Sequence, residues 1–476
     1  MRLRRLHKLA IAITCLLMYT MYRVTNDDND GNQDGGVAGG ANAGADHSLN
    51  VAKPVQPVKP NKGQSEEHPR VKKQDAVVIG VNHNVKEVKQ SGPEVLPANP
   101  VKVRTNRTGE AERIRQAILD VNSKEEVRNL ARFPTRSNAS VVILVMVHKR
   151  LEYLRYLINS LRQVRDIGDA LLIFSHDYYS EEINALIRTV DFCQTMQIFY
   201  PYLLQIYEKE FPGEDPGDCP RDMKRDRAKE IKCNNWEHPD KYGHYREVRF
   251  VMTKHHWFWK LQHVFGGLSA TKNHKGLVLL IEEDHYMTPD AYYMLQKMYE
   301  LKGSKCSECD IFTLGTYEKS RRYKDRGNTV DVLQFYSSRH NMGMALDRST
   351  WDRLQPCVKE FCNYDDYNWD WTLQHVSLTC LKPSLSVIVP KAPRIFHIGE
   401  CGIHHKGKCN AAELVKQLDS VVASSSDYLF PESLTMTPLT RALYRKMPKP
   451  NGGWGDVRDH SLCMAYGQTD ATKARS

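Results

Sequence analysis

The chain has 476 residues and a formal net charge of +10, and 41% of its residues are hydrophobic and 26% charged. This composition excludes a wholly disordered protein, and because no apolar run reaches about 18 residues, a protein with several membrane spans is excluded as well. The basic residues are spread along the chain, so nucleic-acid binding is not expected. Phosphate-loop, dinucleotide-loop, zinc-protease and serine-hydrolase motifs are absent from the sequence.

The first element is an uncharged apolar run at 9–22, LAIAITCLLMYTMY, which basic residues precede and Arg23 follows. Two interpretations fit this pattern, a cleaved signal peptide and a short membrane anchor. No small-residue cleavage pattern follows the run, and the basic residues before it keep the N-terminus in the cytosol. We therefore predict a cytoplasmic tail at 1–8, a single-pass signal anchor at 9–22, and the remaining chain in a lumen.

Residues 23–132 contain no Phe, Tyr or Trp and include stretches rich in Gly, Asn and Pro. A segment of this composition cannot bury enough apolar surface to offset the entropy that is lost on ordering. We predict a disordered luminal stem at 23–110. Asn106 and Asn138 each begin an Asn-x-Ser/Thr sequence and are predicted glycosylation sites in a luminal chain.

A helix is predicted next, over 111–132. Its apolar residues share one face: Ile114, Ile118 and Val121. Ser123 and Glu126 have the spacing of a capping box, which marks the start of a helix. We predict that this segment leads into one catalytic domain at 111–467, followed by a flexible C-terminal tail at 468–476.

Three continuous apolar runs predict strands that are buried on both faces, at 141–147, 170–174 and 276–281. Between the first two, apolar residues recur at helical spacing from Leu151 to Leu161. A strand, a helix and a second strand in this order make the βαβ unit of a parallel sheet. The sequence therefore predicts an α/β fold built on an open parallel sheet.

Ionisable residues stand at the end of each predicted strand, at 148–150, 175–177 and 282–285. In open α/β sheets, ligands bind beyond the carboxyl ends of the strands, so these groups are expected to converge on one crevice. The alternative is that they only terminate the strands. Three acidic residues in a row suit a hard divalent cation, and Asp284, the last of them, is the best candidate ligand.

Three further segments could carry chemistry. In 363–371, acidic and aromatic residues alternate as in a sugar site, and the alternative is a surface loop with core tryptophans. Residues 394–397 deliver His397 after a short apolar segment, although a single His is more often structural than a ligand. Residues 254–260 can form a helix with a basic and an aromatic side, which either binds phosphate or packs.

Twelve Cys are present, and eleven of them stand at position 193 or later. In a luminal chain such a set predicts disulfides, whereas in a cytosolic enzyme it would suggest metal binding or catalysis. Cys306 and Cys309 form a CxxC without a second pair, so structural zinc is the minor alternative there. Because eleven is odd, at least one luminal thiol stays free or pairs between chains.

Seven motifs, in order over roughly 140–467, resemble the N-acetylglucosaminyltransferase II family of Golgi enzymes. They are SHD at 175–177, YGHYREVRF at 242–250, TKHHWFWKL at 253–261, EEDHY at 282–286, YDDYNWDWTLQ at 364–374, RIFH at 394–397 and NGGWGDVRDH at 451–460. The sequence departs from the family at Tyr242, where Phe is usual, and at 149–151, where Asn-Arg-Pro is frequent. The resemblance does not cover the stem.

The resemblance implies a disulfide-stapled GT-A glycosyltransferase fold, with a Rossmann-like, mostly parallel sheet and helices on both faces. The implied reaction is the inverting, Mn²⁺-dependent transfer of N-acetylglucosamine from UDP-N-acetylglucosamine to the 2-hydroxyl of the α-1,6-linked mannose of an N-glycan core. By motif match, Asp284 and His397 would be the metal ligands and Asp370 the catalytic base. The nucleotide sugar would be held by Met146, Val147, His148, Lys149, Arg150, Asp177, Met252, Thr253, Lys254, His255, His256 and Arg321.

The family pattern also implies five disulfides, which leave Cys193 as the free thiol: Cys219–Cys233, Cys306–Cys309, Cys357–Cys380, Cys362–Cys463 and Cys401–Cys409. The implied location is the Golgi membrane, in single-pass type II orientation. The implied partners are the donor and a glycoprotein N-glycan, and the sequence allows a homodimer. Two alternatives stay open, a related Golgi N-acetylglucosaminyltransferase acting on another mannose arm and a luminal lectin without catalysis.

Overall fold

The computed structural model describes residues 109–134, 140–317, 321–399, 410–440 and 449–473. Its strands are β1 (Val142–Val147), β2 (Leu171–His176), β3 (Gln194–Phe199), β4 (Val278–Glu282), β5 (His285–Met287), β6 (Ile311–Thr313), β7 (Thr329–Gln334), β8 (Met344–Leu346), β9 (Ser386–Pro390), β10 (Ile395–His397) and β11 (Thr435–Thr440). All described residues belong to one compact unit, Gln90–Ser476.

The α-helices in the described ranges are α1 (Gly109–Lys124), α2 (Leu151–Arg162), α3 (Glu181–Arg188), α4 (Arg225–Ile231), α5 (Val248–Gln262), α6 (Ala291–Ser304), α7 (Tyr323–Arg326), α8 (Ser337–His340), α9 (Arg348–Leu354), α10 (Val358–Asn363), α11 (Trp369–Thr379), α12 (Ala411–Ser424) and α13 (Val457–Lys473). Short 3₁₀ turns lie at Ile167–Asp169, Gln355–Cys357 and Ser426–Tyr428, and a π-helical turn at His263–Gly267 extends α5.

The main sheet has the strand order β11-β7-β9-β6-β8-β4-β1-β2-β3, and β5 and β10 form a separate antiparallel pair. Strands β4, β1, β2 and β3 are parallel neighbours, and so are β6 with β9 and β7 with β11. The remaining neighbours, β4 with β8, β8 with β6, and β9 with β7, are antiparallel. The sheet is therefore mostly parallel, which confirms the expected architecture.

Alternate residues of β1 belong to two separate cores. Val142 and Leu144 lie in one core with residues of α1 and α5, and Ile143 and Val145 lie in the other with residues of α2 and α6. Successive side chains of a strand point to opposite faces, so a continuous apolar run needs cover on both sides. Helices accordingly cover both faces of the sheet, as expected.

The helix predicted over 111–132 is shorter than that range. α1 ends at Lys124, and Glu125 follows with a φ of 43°, a left-handed conformation that ends a right-handed helix. The capping-box interpretation of Ser123 and Glu126 is wrong, because Ser123 lies in the last turn of α1. Its hydroxyl donates to a carbonyl of the preceding turn (3.0 Å) instead of capping a new helix.

The predicted ends of the catalytic domain, 111 and 467, lie close to the first and last described residues. α1 begins at Gly109, and α13 continues to Lys473, beyond the predicted domain end at 467. Within the described ranges, no helix is both long enough and apolar enough to cross a membrane. The predicted anchor at 9–22 and both predicted glycosylation sites, Asn106 and Asn138, lie outside the described residues.

Disulfides join four cysteine pairs of the described chain: Cys219–Cys233, Cys306–Cys309, Cys357–Cys380 and Cys362–Cys463. These are four of the pairings that the resemblance implied, and the second leaves no thiolate for zinc at the CxxC. Cys401 and Cys409 lie outside the described residues. Cys193 is a buried free thiol, and burial raises its pKa to about 12, which makes it unreactive at neutral pH.

A buried ion pair holds the segment that enters β10. Arg394 Nε lies 2.8 Å from Asp290 Oδ2, and both side chains are 0% exposed. We expect Asp290→Ala to lower the free energy of unfolding by about 3–5 kcal/mol, because it leaves a buried guanidinium without its counter-charge. Urea unfolding measures the loss. Asp325→Ala, which removes the partner of the exposed Arg322, is the control and should cost less than about 1 kcal/mol, so equal losses would contradict the argument.

Candidate active site

The carboxyl ends of β4, β1 and β2 meet at one edge of the sheet, because these strands are parallel neighbours. His148 follows β1, and its Nδ1 lies 2.7 Å from Oδ1 of Asp177, which follows β2. The backbone N–H of His148 donates to Oε2 of Glu283, which follows β4 (2.8 Å). Burial would lower the pKa of His148, but Asp177 raises it. The structure thus brings together the groups that the sequence places at three strand ends.

Glu283 binds backbone groups of the β1 end. Its side chain is buried and accepts hydrogen bonds from the backbone N–H groups of His148 (2.8 Å) and Arg150 (3.2 Å). Burial raises the pKa of Glu283 to about 7, although these N–H groups oppose the rise. Of the three consecutive acidic residues, Glu282 and Asp284 therefore remain as the ones available for a cation.

The antiparallel pairing of β5 with β10 carries His397 to Asp284. The Oδ2 atom of Asp284 lies 3.2 Å from His397 Nε2, and Arg150 Nη1 donates to the same oxygen. The Asp284 side chain is 6% exposed and that of His397 is 40% exposed. Burial would raise the pKa of Asp284, but His397, His285 and Arg150 hold it at about 2. Asp284 is therefore an anion at neutral pH.

The second oxygen of Asp284 provides a test of whether this pair fits a metal ion. Oδ1 is buried, and no described residue hydrogen-bonds to it. A buried carboxylate oxygen without a partner is costly unless a ligand or water satisfies it. A carboxylate and an imidazole together are a donor set that suits a divalent cation such as Mn²⁺. The residues present therefore fit the implied metal.

A rival ligand set consists of Glu282, Asp284 and His285, each of which offers one ligand atom within 4.8 Å of the others. However, Nδ1 of His285 accepts a hydrogen bond from the backbone N–H of Glu282 (3.2 Å). Burial lowers the pKa of His285 to about 4, so the ring is neutral and carries its proton on Nε2. Neither nitrogen then offers a free lone pair, and Asp284 with His397 is the better metal site.

Asp370 lies in the first turn of α11, where two donors hold its carboxylate. Oδ2 accepts from Asn341 Nδ2 (2.9 Å), and Oδ1 accepts from the backbone N–H of Trp371 (2.9 Å). Burial raises the pKa of Asp370 to about 6, although both hydrogen bonds oppose the rise. A carboxylate whose pKa lies close to neutrality is suited to accept a proton.

Asp370 interacts electrostatically with the acidic residues at the end of β4. Burial and the charge of Asp284 raise the pKa of Glu282, and Asp370 contributes to this rise. Burial also raises the pKa of the Tyr317 phenol, and the charges of Glu282 and Asp370 raise it further. Asp370 is therefore within electrostatic range of Glu282, and no salt-bridge partner of Asp370 is found among the described residues.

Two other members of the 363–371 cluster are part of the core. Trp369 is buried and stacks on Trp257, with ring centroids 4.4 Å apart. Asp366 is 0% exposed and accepts two backbone N–H groups, at 2.8 and 2.9 Å. The core-tryptophan alternative therefore holds for Trp369, whereas the fully buried Asp366 does not lie in a surface loop.

The segment from Met252 to His256 lies in α5, and one of its side chains reaches the strand ends. His256 is buried, its Nε2 lies 2.8 Å from Ser175 Oγ, and its Nδ1 lies 3.6 Å from Asp177 Oδ2. Met252 is buried and Thr253 is partly exposed. His256 of this segment therefore packs against the end of β2, next to Asp177.

Two other residues of α5 point away from the strand ends. Lys254 is 0% exposed, and its Nζ donates to the backbone carbonyl of Asp366 (2.9 Å). His255 is also fully buried, with Nε2 2.9 Å from Oδ1 of Asp459 in α13. Burial lowers the pKa of Lys254 to about 7 and that of Lys260 to about 8. The predicted basic side of this helix is thus buried, and the packing alternative holds for it.

The remaining residues of the implied donor site lie around the crevice. Met146 and Val147 end β1, and Lys149 follows them as an exposed side chain. Arg321 is exposed, and its guanidinium carbon lies 5.8 Å from the ring centroid of Phe396 in β10. Arg321 therefore lies beside β10, the strand that carries His397.

Some site residues carry no signal that could be recognised from the residues alone. Asn341 is one Asn after a short helix, and Arg321 is one Arg in a polar stretch, so neither type nor spacing singles them out. The role of Glu283 had no such signal either, because Glu283 lies in the turn between β4 and β5, where the side-chain alternation of a strand does not apply.

The chain is similar to known glycosyltransferases over most of its length. The family model for N-acetylglucosaminyltransferase II matches residues 115–463. A Homo sapiens relative, alpha-1,6-mannosyl-glycoprotein 2-beta-N-acetylglucosaminyltransferase, is 43% identical over 412 residues, or 87% of this chain and 90% of the relative. The Mus musculus protein of that name is 45% identical over 391 residues, covering 82% of this chain and 87% of that protein.

A plant relative shows the same similarity at lower identity. The Arabidopsis thaliana protein with this name is 35% identical over 348 residues, covering 71% of this chain and 77% of that protein. The span that the family model matches includes the positions of Asp284, Asp370 and His397.

Proposed function

The chain belongs to the N-acetylglucosaminyltransferase II family of glycosyltransferases, and from this we propose that it transfers N-acetylglucosamine from UDP-N-acetylglucosamine to the 2-hydroxyl of the α-1,6-linked mannose of an N-glycan core. We also propose that the transfer depends on Mn²⁺ and inverts the configuration at the anomeric carbon. One observation carries the proposal. Asp284 and His397 form one pair, and Asp370, with a pKa of about 6, is a separate carboxylate that interacts electrostatically with Glu282, two residues before Asp284.

Asp284 and His397 would hold the Mn²⁺ ion. When bound, the ion stabilises the negative charge that develops on a diphosphate leaving group. The pKa of Asp284, about 2, keeps its carboxylate charged over the whole physiological range. His397 is 40% exposed, so its ring can be reached from the crevice.

Asp370 would take the proton from the mannose 2-hydroxyl as that oxygen attacks the anomeric carbon. With a pKa of about 6 it is mostly ionised at neutral pH and still basic enough to accept a proton. Asn341 and the backbone of Trp371 fix the carboxylate in place. A single displacement opposite the leaving group inverts the configuration, and it needs one base and no covalent nucleophile.

The donor would lie along the ends of β1 and β2. Arg150 and Arg321 supply guanidinium groups, which suit a diphosphate because they can donate two hydrogen bonds at once. His148 and Asp177 supply polar groups at the same edge. Lys254 and His255 would contribute by positioning their neighbours, because both side chains are fully buried.

We also propose that the chain is a single-pass type II protein of the Golgi membrane, with 9–22 as the anchor and the enzyme in the lumen. The disulfides of the described chain support an oxidising compartment, because such bonds are rare in the cytosol. The proposed acceptor is an N-glycan on a glycoprotein, which such a compartment contains.

Product analysis tests the proposal. The purified chain is incubated with UDP-N-acetylglucosamine, Mn²⁺ and a hybrid-type N-glycan, and an acceptor whose α-1,3 arm lacks N-acetylglucosamine serves for comparison. We expect one N-acetylglucosamine, β-linked to the 2-position of the α-1,6 mannose. Addition to another arm would favour the related-transferase alternative, and sugar binding without donor turnover would favour the lectin.

The stem should be dispensable for catalysis. Residues 24–100 contain no aromatic residue and no Cys, and the family match begins later, at residue 115. We expect a chain without 24–100 to transfer sugar at the same rate as the full chain, because such a segment cannot form part of a packed site. Rates and melting temperatures are measured for both. A large loss of rate at an unchanged melting temperature would refute this expectation.

A further inference from the structure

Arg150 and His397 share one oxygen of Asp284. Arg150 Nη1 donates to Oδ2, and His397 Nε2 lies 3.2 Å from that atom. Oδ1 is buried without a hydrogen-bond partner among the described residues. A cation that is held by both Asp284 and His397 would therefore lie beside the guanidinium of Arg150, because His397 Nε2 lies 3.2 Å from the oxygen to which Arg150 donates.

The backbone of Arg150 is held by a hydrogen bond, whereas its guanidinium group is partly exposed. The N–H of Arg150 donates to Oε1 of Glu283 (3.2 Å), at the start of α2. The side chain is 31% exposed, and its guanidinium carbon lies 5.4 Å from the ring centroid of Tyr153. The guanidinium can therefore turn from Asp284 into the crevice without a shift of β1 or α2.

The backbone at Gly399 leaves room for the side chains of both Asp284 and Arg150. A Cβ atom at Gly399 would lie 2.0 Å from Asp284 Oδ2 and 2.8 Å from Arg150 Nη1. Gly399 does not have a positive φ, so the glycine is needed for this close approach and not for an unusual conformation. The chain is thus shaped around the Arg150–Asp284 contact.

We propose that Arg150 couples metal binding to donor binding: it competes with the cation for Asp284, and it turns to the diphosphate when the nucleotide binds. The inference rests on the proposed function, because it takes Asp284 and His397 as the metal ligands. A nearby guanidinium weakens the carboxylate as a ligand for a second cation. A diphosphate can accept two hydrogen bonds from the same guanidinium group. Each ligand then raises the affinity of the other by the same factor.

Calorimetry of Mn²⁺ binding to the purified full-length chain tests this coupling, first without nucleotide and then with saturating UDP. Without UDP, we expect Arg150→Gln to bind Mn²⁺ roughly tenfold more tightly, because a charge-assisted hydrogen bond no longer competes for Asp284. UDP should increase the Mn²⁺ affinity of this variant by a smaller factor than that of the unsubstituted chain. Arg150→Lys is a second variant, with a smaller expected gain, since it keeps the charge without the forked donor.

Arg155→Gln is the matched control, because it removes the same charge from an exposed position of the same helix, α2. Unchanged or weaker Mn²⁺ binding by both Arg150 variants would overturn the inference, and so would an equal gain in Arg155→Gln. If the unsubstituted chain binds no Mn²⁺ even with UDP, the proposed metal site fails first. The two failures are therefore distinguishable, and neither readout depends on catalytic turnover.

Discussion

Asp370→Asn should lower the transfer rate by about 10²–10⁴-fold and leave donor binding almost unchanged. Asn keeps the shape of the side chain beside Asn341 but cannot take a proton from the acceptor hydroxyl. Asp284 and His397 stay in place for the metal, so the donor site is intact. Donor affinity by calorimetry and the transfer rate, measured on one preparation, separate the two quantities.

The pKa of Asp370 also predicts the shape of the pH profile. Burial raises this pKa to about 6, and only the ionised carboxylate can act as the base. The turnover rate should therefore fall as the pH drops below about 6 and reach its plateau above it. Asp370→Asn should lack this acid limb, whereas Asp352→Asn, the same change at an exposed position, should keep both the rate and the limb.

Other outcomes would reassign the base. Near-normal transfer by Asp370→Asn would mean that another carboxylate accepts the proton. Glu282 would be the first choice, because it is partly exposed and its pKa is raised by burial and by Asp284. Asp366 is a poorer choice, because it is fully buried and accepts backbone N–H groups. Loss of donor binding together with the rate would give Asp370 a donor-holding role.

Asp284→Asn should weaken Mn²⁺-dependent donor binding by more than about 100-fold. A neutral amide is a poor ligand for a hard cation, and even outer-shell partners of metal sites are worth about 10–100-fold in affinity. His397→Ala should also weaken binding, because it opens a coordination position. Calorimetric titration with UDP-N-acetylglucosamine, with and without Mn²⁺, measures both effects.

His285→Gln distinguishes the two possible ligand sets. Because Nδ1 of His285 is occupied by the backbone N–H of Glu282, we expect this variant to keep metal-dependent donor binding once its melting temperature shows that it is folded. A loss as large as that of His397→Ala would support the rival set of Glu282, Asp284 and His285. Normal binding by both Asp284→Asn and His397→Ala would refute the proposed site.

Long and regular patterns are the predictable part of the fold. The runs that become β1, β2 and β4 are continuous and apolar, and the rule for parallel sheets places their carboxyl ends together. These two facts are enough to single out the three strand ends, at 148–150, 175–177 and 282–285, and Asp284 among them, from the residues alone. Strands β5, β6, β8 and β10 have three residues each, which is too short for a recognisable pattern. Their antiparallel pairing therefore could not be predicted.

The same limit explains why the patterns left His397 as a minor candidate and did not indicate the burial of α5. His397 lies next to Asp284 only because β5 and β10 pair over three residues, so the spacing of the two residues in the sequence does not indicate that they are close. In α5, buried cations replace an exposed polar face, and a helix that is buried all round has no amphipathic signal. The disulfide pairings and the roles of Asp370 and Arg321 came from family resemblance, because residue types alone do not specify them.

The last helix reaches back to the segment that carries Asp370. Cys463 of α13 is bonded to Cys362 in α10, and Asp459 of the same helix lies 2.8 Å from the buried Arg246. A stop codon between His397 and Asp459 would spare every proposed ligand and the proposed base, yet it would leave Cys362 unpaired and remove the Asp459 carboxylate from Arg246. Such late nonsense alleles should therefore behave as complete nulls, and a terminal exon that encodes only this helix would be as intolerant of truncation as the exon for the catalytic centre.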